Sequence, residues 1–293
     1  MTKTEAQTDT AARQWLVSTV WLADHLDAPD VLVLDASYYL PTAGRDPDAD
    51  YLSARIPGAV RFDIDKVADP DAPLAHTMPS PTVFAAQVRR LGIGDGMQIV
   101  IYDTAGLFSA ARAWWMFRVM GHDDVRVLDG GLAKWQAEGR PVEDGPATAR
   151  QPRHFTPKHR PGMIADLNHV RQTIESKSAQ IVDARSAERF SGEAEDPHGE
   201  LRTGHMPGAA NVPYATLLNP DRTMKSDREL REIFSAAGVN GSKPIITSCG
   251  SGVTAAIVTL ALAEIGIDTG RLYDGSWTEW GRRDDVPVAT GTP

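Results

Sequence analysis

The sequence predicts an α/β protein built from two tandem domains, each a mostly parallel sheet flanked by helices on both faces. Two observations carry that expectation. Short Val/Ile-rich runs alternate with longer helical patterns, as a parallel sheet with crossover helices requires. The chain also says most things twice. Val31-Leu-Val-Leu-Asp35-Ala returns as Gln180-Ile-Val-Asp183-Ala-Arg185, and Ala54-Arg-Ile-Pro-Gly58-Ala59 returns as Gly204-His-Met-Pro-Gly208-Ala209. Ile99-Val-Ile-Tyr-Asp103 corresponds to Ile245-Ile-Thr-Ser-Cys249, and the run from Asp129-Gly130 to Trp135 corresponds to that from Asp274-Gly275 to Trp280. The matches keep their order at an offset of roughly 145 to 150 residues, a domain-sized unit.

Each element has a local reason. Met1 to Gln14 is polar with no apolar core, so a frayed terminus is expected there rather than a signal peptide or membrane anchor. The first domain is expected over residues 15–143. Within it, Gln98 to Tyr102 reads as a buried strand and Ser109 to Met120 as a helix stopped by Gly121. The long polar stretch from Asp65 to Pro81 reads as a surface loop, and loops of that length usually carry function. Asp144 to Pro161 holds four prolines and no periodicity, and because proline cannot donate to either ladder it is the expected linker. The second domain is expected over 162–290, with a strand at Pro244 to Ser248 and a helix from about Gly252 to Ile265 stopped by Gly266. That helix is apolar almost all round, so it should be buried against the sheet; its most apolar part, Ala255 to Ile265, is too short to span a bilayer.

Composition narrows the function. The 293 residues are 42% hydrophobic and 24% charged, ordinary for a chain with a buried core. A net charge of −9 and the lack of a long Lys/Arg run argue against nucleic acid or an anionic membrane as the main partner. The single cysteine excludes an intramolecular disulfide and a Cys-rich metal cluster, and a free thiol lasts best in a reducing compartment such as the cytoplasm. No His/Asp/Glu group has metal-ligand spacing.

The chemistry concentrates at Ser248-Cys249-Gly250-Ser251-Gly252-Val253-Thr254-Ala255. Cys249 is expected where a buried strand ends and a helix begins. A helix N-terminus presents unpaired N–H groups and partial positive charge, which favours a thiolate. Gly250 and Gly252 let the backbone curl so that several N–H groups face one centre. Many lone cysteines are only small buried hydrophobes; the strand-to-helix turn between glycines separates this one from them. The first copy has Asp103 at the matching turn, which cannot form a persulfide, so one copy is expected to be catalytic. A cysteine phosphatase would need an arginine about six residues after the cysteine to hold the phosphoryl group. That position is Ala255, and the next arginine is Arg271.

The Cys-Gly-Ser-Gly-Val-Thr loop, the paired Pro-Gly-Ala segments and the Asp-Gly-Ser-Trp…Glu-Trp ending resemble the tandem rhodanese family from about Trp15 to Val288. The resemblance implies a catalytic C-terminal copy that carries sulfur as a Cys249 persulfide without cofactor or metal. It also implies a small thiol, cyanide or thioredoxin as acceptor. Thiosulfate-preferring members typically read Cys-Arg-Lys-Gly-Val-Thr, whereas this loop is similar to that of the 3-mercaptopyruvate branch. The direction is physical, since a doubly anionic donor benefits from cationic loop side chains. Thiosulfate on the same fold, and a non-catalytic sulfur carrier or binding module, are the alternatives; the intact Cys249 argues against the module.

Other groups follow from the same resemblance. Arg185, just after the strand Ile181 to Asp183, should project from the edge that carries Cys249, and the resemblance makes it the anchor for the donor's carboxylate. The alternative is an ion pair with Glu188 or Glu193. Arg189 and Arg202 are candidates for a second clamp, and Gly250, Gly252, Val253 and Thr254 are expected to line the donor site. The resemblance further implies a proton-handling set of Ser251, His76 and Asp65, with histidine suited to shuttling a proton near neutrality. Against it, Ser251 would cap the helix and His76 would be a plain loop residue. Trp114, Trp115, Trp135, Trp277 and Trp280 are expected in the core and between domains, and His205, the counterpart of Arg55, is expected to be structural.

Overall fold

The computed structural model describes residues 13–267 and 270–292. The expected fraying falls almost entirely on residues 1–12, outside that set. The first domain has strands β1 (Leu16–Val17), β2 (Val31–Asp35), β3 (Val60–Arg61), β4 (Gln98–Tyr102) and β5 (Val125–Leu128), with helices α1 (Thr19–His25), α2 (Pro47–Ser53), α3 (Pro81–Arg90), α4 (Ala110–Val119) and α5 (Gly131–Ala137). The second has β6 (Ile164–Ala165), β7 (Gln180–Asp183), β8 (Ala210–Asn211), β9 (Ile245–Ser248) and β10 (Gly270–Tyr273), with α6 (Leu167–Ser176), α7 (Ala187–Ser191), α8 (Asp227–Ala236), α9 (Ala255–Glu264) and α10 (Ser276–Trp280).

The sheets are ordered β1-β5-β4-β2-β3 and β6-β10-β9-β7-β8, one pattern repeated. Every pairing between these strands is parallel. In each sheet the second and fourth strands of the domain pair at the centre, Val31–Asp35 against Gln98–Tyr102 and Gln180–Asp183 against Ile245–Ser248. Central parallel strands are covered on both faces, and Ile99–Tyr102 and Ile245–Ser248 are accordingly buried at every position. Their C-terminal ends point the same way. Asp103 and Cys249 therefore leave equivalent edges, the edge where ligands bind in open α/β sheets.

Helix α4 is buried at nine of its ten positions and α9 at eight, and the two pack against each other between the domains. One apolar core runs from Phe62 and Trp114 in the first domain to Val258 and Leu272 in the second. Both helices stop as the sequence predicts. Gly121 and Gly266 take φ of +79° and +74°, and the next residue folds back, His122 N–H to Phe117 O at 3.0 Å and Ile267 N–H to Leu262 O at 2.9 Å. The start of α9 differs from expectation: it begins at Ala255 rather than Gly252, because Gly252 at φ +80° cannot sit in a right-handed helix. The proline-rich segment before η-turn Pro161–Met163 lies on the first domain, where Phe155 is buried beside Phe84. Among the described residues no helix is long and apolar enough to cross a membrane.

Candidate active site

Cys249 follows β9 directly and is the one cysteine of the chain, buried and unpaired. Its turn is pinned from one side. The carbonyls of Cys249 and Gly250 accept the N–H groups of Trp277 at 2.9 Å and Thr278 at 2.8 Å, and the Cys249 N–H donates to Ser276 Oγ at 3.2 Å. Beyond that point the donors are left over. Among the described residues nothing accepts from the backbone N–H groups of Gly250, Ser251, Gly252, Val253 or Thr254. Unpaired buried donors are rare in folded proteins, so a run of them at a helix N-terminus is a place for an anion.

The first copy shows the same turn occupied. Asp103 Oδ2 accepts the N–H groups of Phe108 at 2.7 Å and Ala110 at 2.8 Å. The turn thus holds its own carboxylate where the second copy has a thiol. Burial pushes the Asp103 carboxyl up from the usual carboxylate range, against the amides that lower it.

A cavity of about 240 Å³ opens at Cys249, bounded by Phe108 and Tyr38 from the first domain and by Arg189, His198 and Tyr214 from the second. It shares Tyr38, His198 and Ser251 with an adjoining cleft of about 510 Å³ that also takes in Asp65, His76 and Asp274. A larger concavity of about 590 Å³ lies beside Lys177, Gln180 and Lys243, away from the chemistry, and contains no nucleophile.

The loop from the first domain does reach this cleft. His76 is buried, with Nδ1 2.5 Å from Asp65 Oδ1, close enough for ion pairing but not aligned for a hydrogen bond. Its backbone is left-handed, φ +61°, a conformation few non-glycine residues adopt. Ser251 lines the same cleft, but among the described residues no hydrogen bond joins it to His76. It is not the helix cap either, since the N-cap of α9 is Thr254.

Sequence reasoning missed the group that holds this loop. Arg112, fully buried on α4, donates from Nη2 to the His76 carbonyl at 2.5 Å and from Nη1 to the Gly252 carbonyl at 3.3 Å. Its Nη2 also lies 2.6 Å from Asp274 Oδ1, and its guanidinium stacks over Trp115, 4.5 Å from the ring centroid. Asp274 Oδ2 in turn accepts the Met78 N–H at 2.7 Å. The available signal was a charge in the otherwise apolar run Ala110-Ala-Arg112-Ala-Trp-Trp; such a residue survives burial only when paired.

The expected carboxylate anchor, Arg185, lines the Cys249 cavity but already has an ionic partner. Arg185 Nε lies 3.1 Å and 3.0 Å from the two Asp183 oxygens, and Nη2 donates to Asp183 Oδ2 at 2.7 Å and to the Gly204 carbonyl at 2.8 Å. The guanidinium stacks 4.2 Å over Trp277 with its side chain 1% exposed. Its ion pair is with Asp183, not Glu188 or Glu193, because a residue two positions after the strand folds back onto the strand's own last carboxylate. Arg202 donates to the carbonyls of Val286 and Trp280 and does not line the Cys249 cavity. Arg189 is different. It lines the same cavity with its side chain 21% exposed against 1% for Arg185, and its one ionic partner among the described residues is Asp196, which also holds His198 Nδ1 at 2.6 Å. Burial alone would raise the Asp196 carboxyl, but His198 and Arg189 hold it well below the usual range. No sequence signal marked Asp196 or His198, which sit in a polar loop.

The glycines of the turn have steric reasons. A Cβ on Gly250 would lie 2.7 Å from His198 Cε1 and 2.9 Å from Arg189 Nη2, and one on Gly252 would lie 2.8 Å from the Asp274 carbonyl. Val253 is buried beneath the turn. His205 stacks on Phe190 at 3.8 Å and bonds its carbonyl, a structural role.

The rhodanese-like domain model matches this chain twice, over residues 18–138 and 166–283. The chain belongs to the rhodanese family. This rhodanese chain is 43% identical over 275 residues to a 3-mercaptopyruvate sulfurtransferase of Escherichia coli K12, covering 94% of this chain and 97% of that protein. It is 40% identical over 275 residues to a thiosulfate sulfurtransferase of Bos taurus, covering 92% of each. Among solved structures it resembles SseA from Escherichia coli, described as a 3-mercaptopyruvate sulfotransferase of the rhodanese fold, with a TM-score of 0.83, 42% identity, and coverage of 90% of this chain and 99% of that one.

Proposed function

We propose that the protein is a sulfurtransferase that takes sulfur from 3-mercaptopyruvate onto Cys249 and passes it to a thiophilic acceptor, releasing pyruvate. The observation that carries the reading is the Cys249 turn, whose unengaged amides face no protein acceptor while Asp103 fills the corresponding turn with an anion. In the proposed step the Cys249 thiolate attacks the donor's sulfur and an S–S bond forms. The carbon–sulfur bond breaks, and its electron pair passes into pyruvate enolate, which takes up one proton. Free turn amides would stabilise the persulfide without reorganisation. Arg189 is the proposed anchor for the donor's carboxylate, since Arg185 is already bonded. His76, oriented by Asp65, is the proposed proton handler, with Ser251 between it and the turn.

The acceptor, whether a small thiol, cyanide or thioredoxin, attacks the outer sulfur and returns the Cys249 thiolate. The reading includes a reducing, cytoplasmic setting, because the nucleophile is a thiol with no disulfide partner. Donor treatment should add about 32 Da, one sulfur atom, to the wild-type protein and nothing to Cys249→Ser, read by intact mass spectrometry. Equal adducts on both would end the assignment.

The likeness to a bovine thiosulfate sulfurtransferase favours a second reading, thiosulfate as donor on the same turn. Against it, residues 250 and 251 supply no cation. The ratio of kcat/KM for the two donors decides between them.

A further inference from the structure

Two concavities meet at the sulfur site, and the donor fills only one of them. The Cys249 cavity of about 240 Å³ is lined by Arg185 and Arg189. The adjoining cleft of about 510 Å³ opens onto it past Tyr38, His198 and Ser251, and has the volume of an ordinary ligand site. Most charge in the cleft is already matched. Asp274 pairs with Arg112, Asp65 with His76, and Asp196 holds His198. Arg282 differs. It lines the cleft but not the Cys249 cavity, is exposed, and has no ionic or hydrogen-bond partner among the described residues. A carboxylate is at hand two residues on the other side of Arg283, yet it is Arg283 that takes it, bonding Asp285 at 2.7 Å and 2.8 Å. Tyr39, Pro41, Leu74 and Pro197 add apolar wall, suited to a chain of methylene groups rather than to a bare ion.

We propose that the cleft is the acceptor's site and that Arg282 binds the acceptor's carboxylate. The acceptor is then a carboxylate-bearing thiol larger than the donor, as a short cysteine peptide is. This rests on the reading that Cys249 carries a persulfide. A thiol too large for the Cys249 cavity reaches the outer sulfur past Ser251 while the rest of it lies in the cleft. Its thiolate attacks that sulfur and a new S–S bond forms. The bond between the two sulfurs of the Cys249 persulfide breaks, its electron pair returns to Cys249 as thiolate, and the proton given up by the acceptor thiol ends on the released persulfide. The two substrates thus use different arginines, Arg189 for the donor and Arg282 for the acceptor. An exposed ion pair adds modest affinity, but it selects by charge.

The probes are glutathione, its diethyl ester, which keeps the thiol and lacks both carboxylates, and 2-mercaptoethanol as a small neutral thiol. For each, kcat/KM is measured at saturating donor in wild type, Arg282→Gln and Arg282→Glu, at low salt and in about 0.5 M salt, which screens exposed charges. In wild type at low salt glutathione is expected to exceed its ester by about three- to fivefold, the worth of one exposed ion pair, and to lose the advantage in high salt. The ratio should fall to about one in Arg282→Gln and invert in Arg282→Glu, with 2-mercaptoethanol altered less than about twofold. A ratio near one in wild type, the same ratio in all three proteins, or an equal loss for 2-mercaptoethanol overturns the proposal. Slower single-turnover pyruvate release in Arg282→Gln would put Arg282 on the donor and overturns it as well. A sulfur adduct on Cys249 without charge discrimination among acceptors removes the acceptor site and leaves sulfur transfer standing. Absence of the adduct from wild type overturns the sulfur-transfer reading, and the acceptor site with it.

Discussion

The carboxylate of Asp274 accepts the backbone N–H of Met78 at 2.7 Å, so the second domain holds the first-domain loop that carries His76. The duplication repeats this bond in reverse. Asp129, the counterpart of Asp274, accepts the Met224 N–H at 2.7 Å. Each hooked loop also has a left-handed residue two positions earlier, His76 at φ +61° and Arg222 at φ +65°. The symmetry breaks at α4. Arg112 reaches into the second domain's turn, while the corresponding position on α9 is the apolar Ile257. One side becomes a site and the other a closed joint.

Arg112 should therefore be essential in two ways. Arg112→Met leaves Asp274 without its cation in a mostly buried setting, and breaking a buried pair costs about 3–5 kcal/mol. The double variant with Asp274→Asn should recover part of that loss, a coupling read from urea denaturation midpoints in a double-mutant cycle. Arg112→Lys should fold but lower kcat, because a lysine cannot hold both the His76 and Gly252 carbonyls.

Removing the imidazole should slow the chemistry more than the binding. His76→Asn is expected to lower kcat by about 10²-fold or more, the usual worth of a positioned proton donor, with KM little changed. Asp65→Asn should do less, about tenfold, since Asp65 is half exposed and orients rather than transfers. Steady-state pyruvate release measures both.

Two neighbouring arginines should behave in opposite ways. Arg185→Met is expected to destabilise the fold by about 3–5 kcal/mol, because Asp183 would be left buried and unpaired. Arg189→Met should leave the denaturation midpoint nearly unchanged and raise KM for the donor by about tenfold or more. The reverse pattern would return the anchor to Arg185.

Asp103 gives stability a pH dependence of known sign. Burial raises its carboxyl, and that of its neighbour Asp35, above the ordinary range. A carboxyl raised in the folded state favours folding most below the unfolded value and loses that contribution as pH rises through the folded one. Asp103→Asn should therefore gain stability relative to wild type as pH rises above about 4, the unfolded carboxylate range. A difference that stays constant, or falls, in denaturation curves recorded at increasing pH contradicts this.

Much of this was legible along the chain. The repeat placed Asp103 and Cys249 at matching strand ends, and the buried runs Gln98–Tyr102 and Ile245–Ser248 became the central strands. The loop after Asp65 was recognisable by its length and polarity, and it does bring His76 to the cleft. What was not legible was which charge meets which. Arg185 was expected at the site because it follows a strand on the right edge, and it does line the Cys249 cavity, but its pairing with Asp183, two residues back, was not foreseen. Arg112 read as part of a core helix, and its ionic partner, Asp274, lies on the other domain.

By itself the sequence determined the two-sheet architecture, the duplication, and the thiol followed by two glycines at a strand-to-helix turn. These are local or periodic properties, written in side-chain spacing and backbone preference. Only the tertiary structure decided the electrostatic pairing, because a buried charge takes whichever opposite group packing brings within a few ångströms. That choice is made between residues far apart in the chain, when α4 and α9 close the two domains on each other.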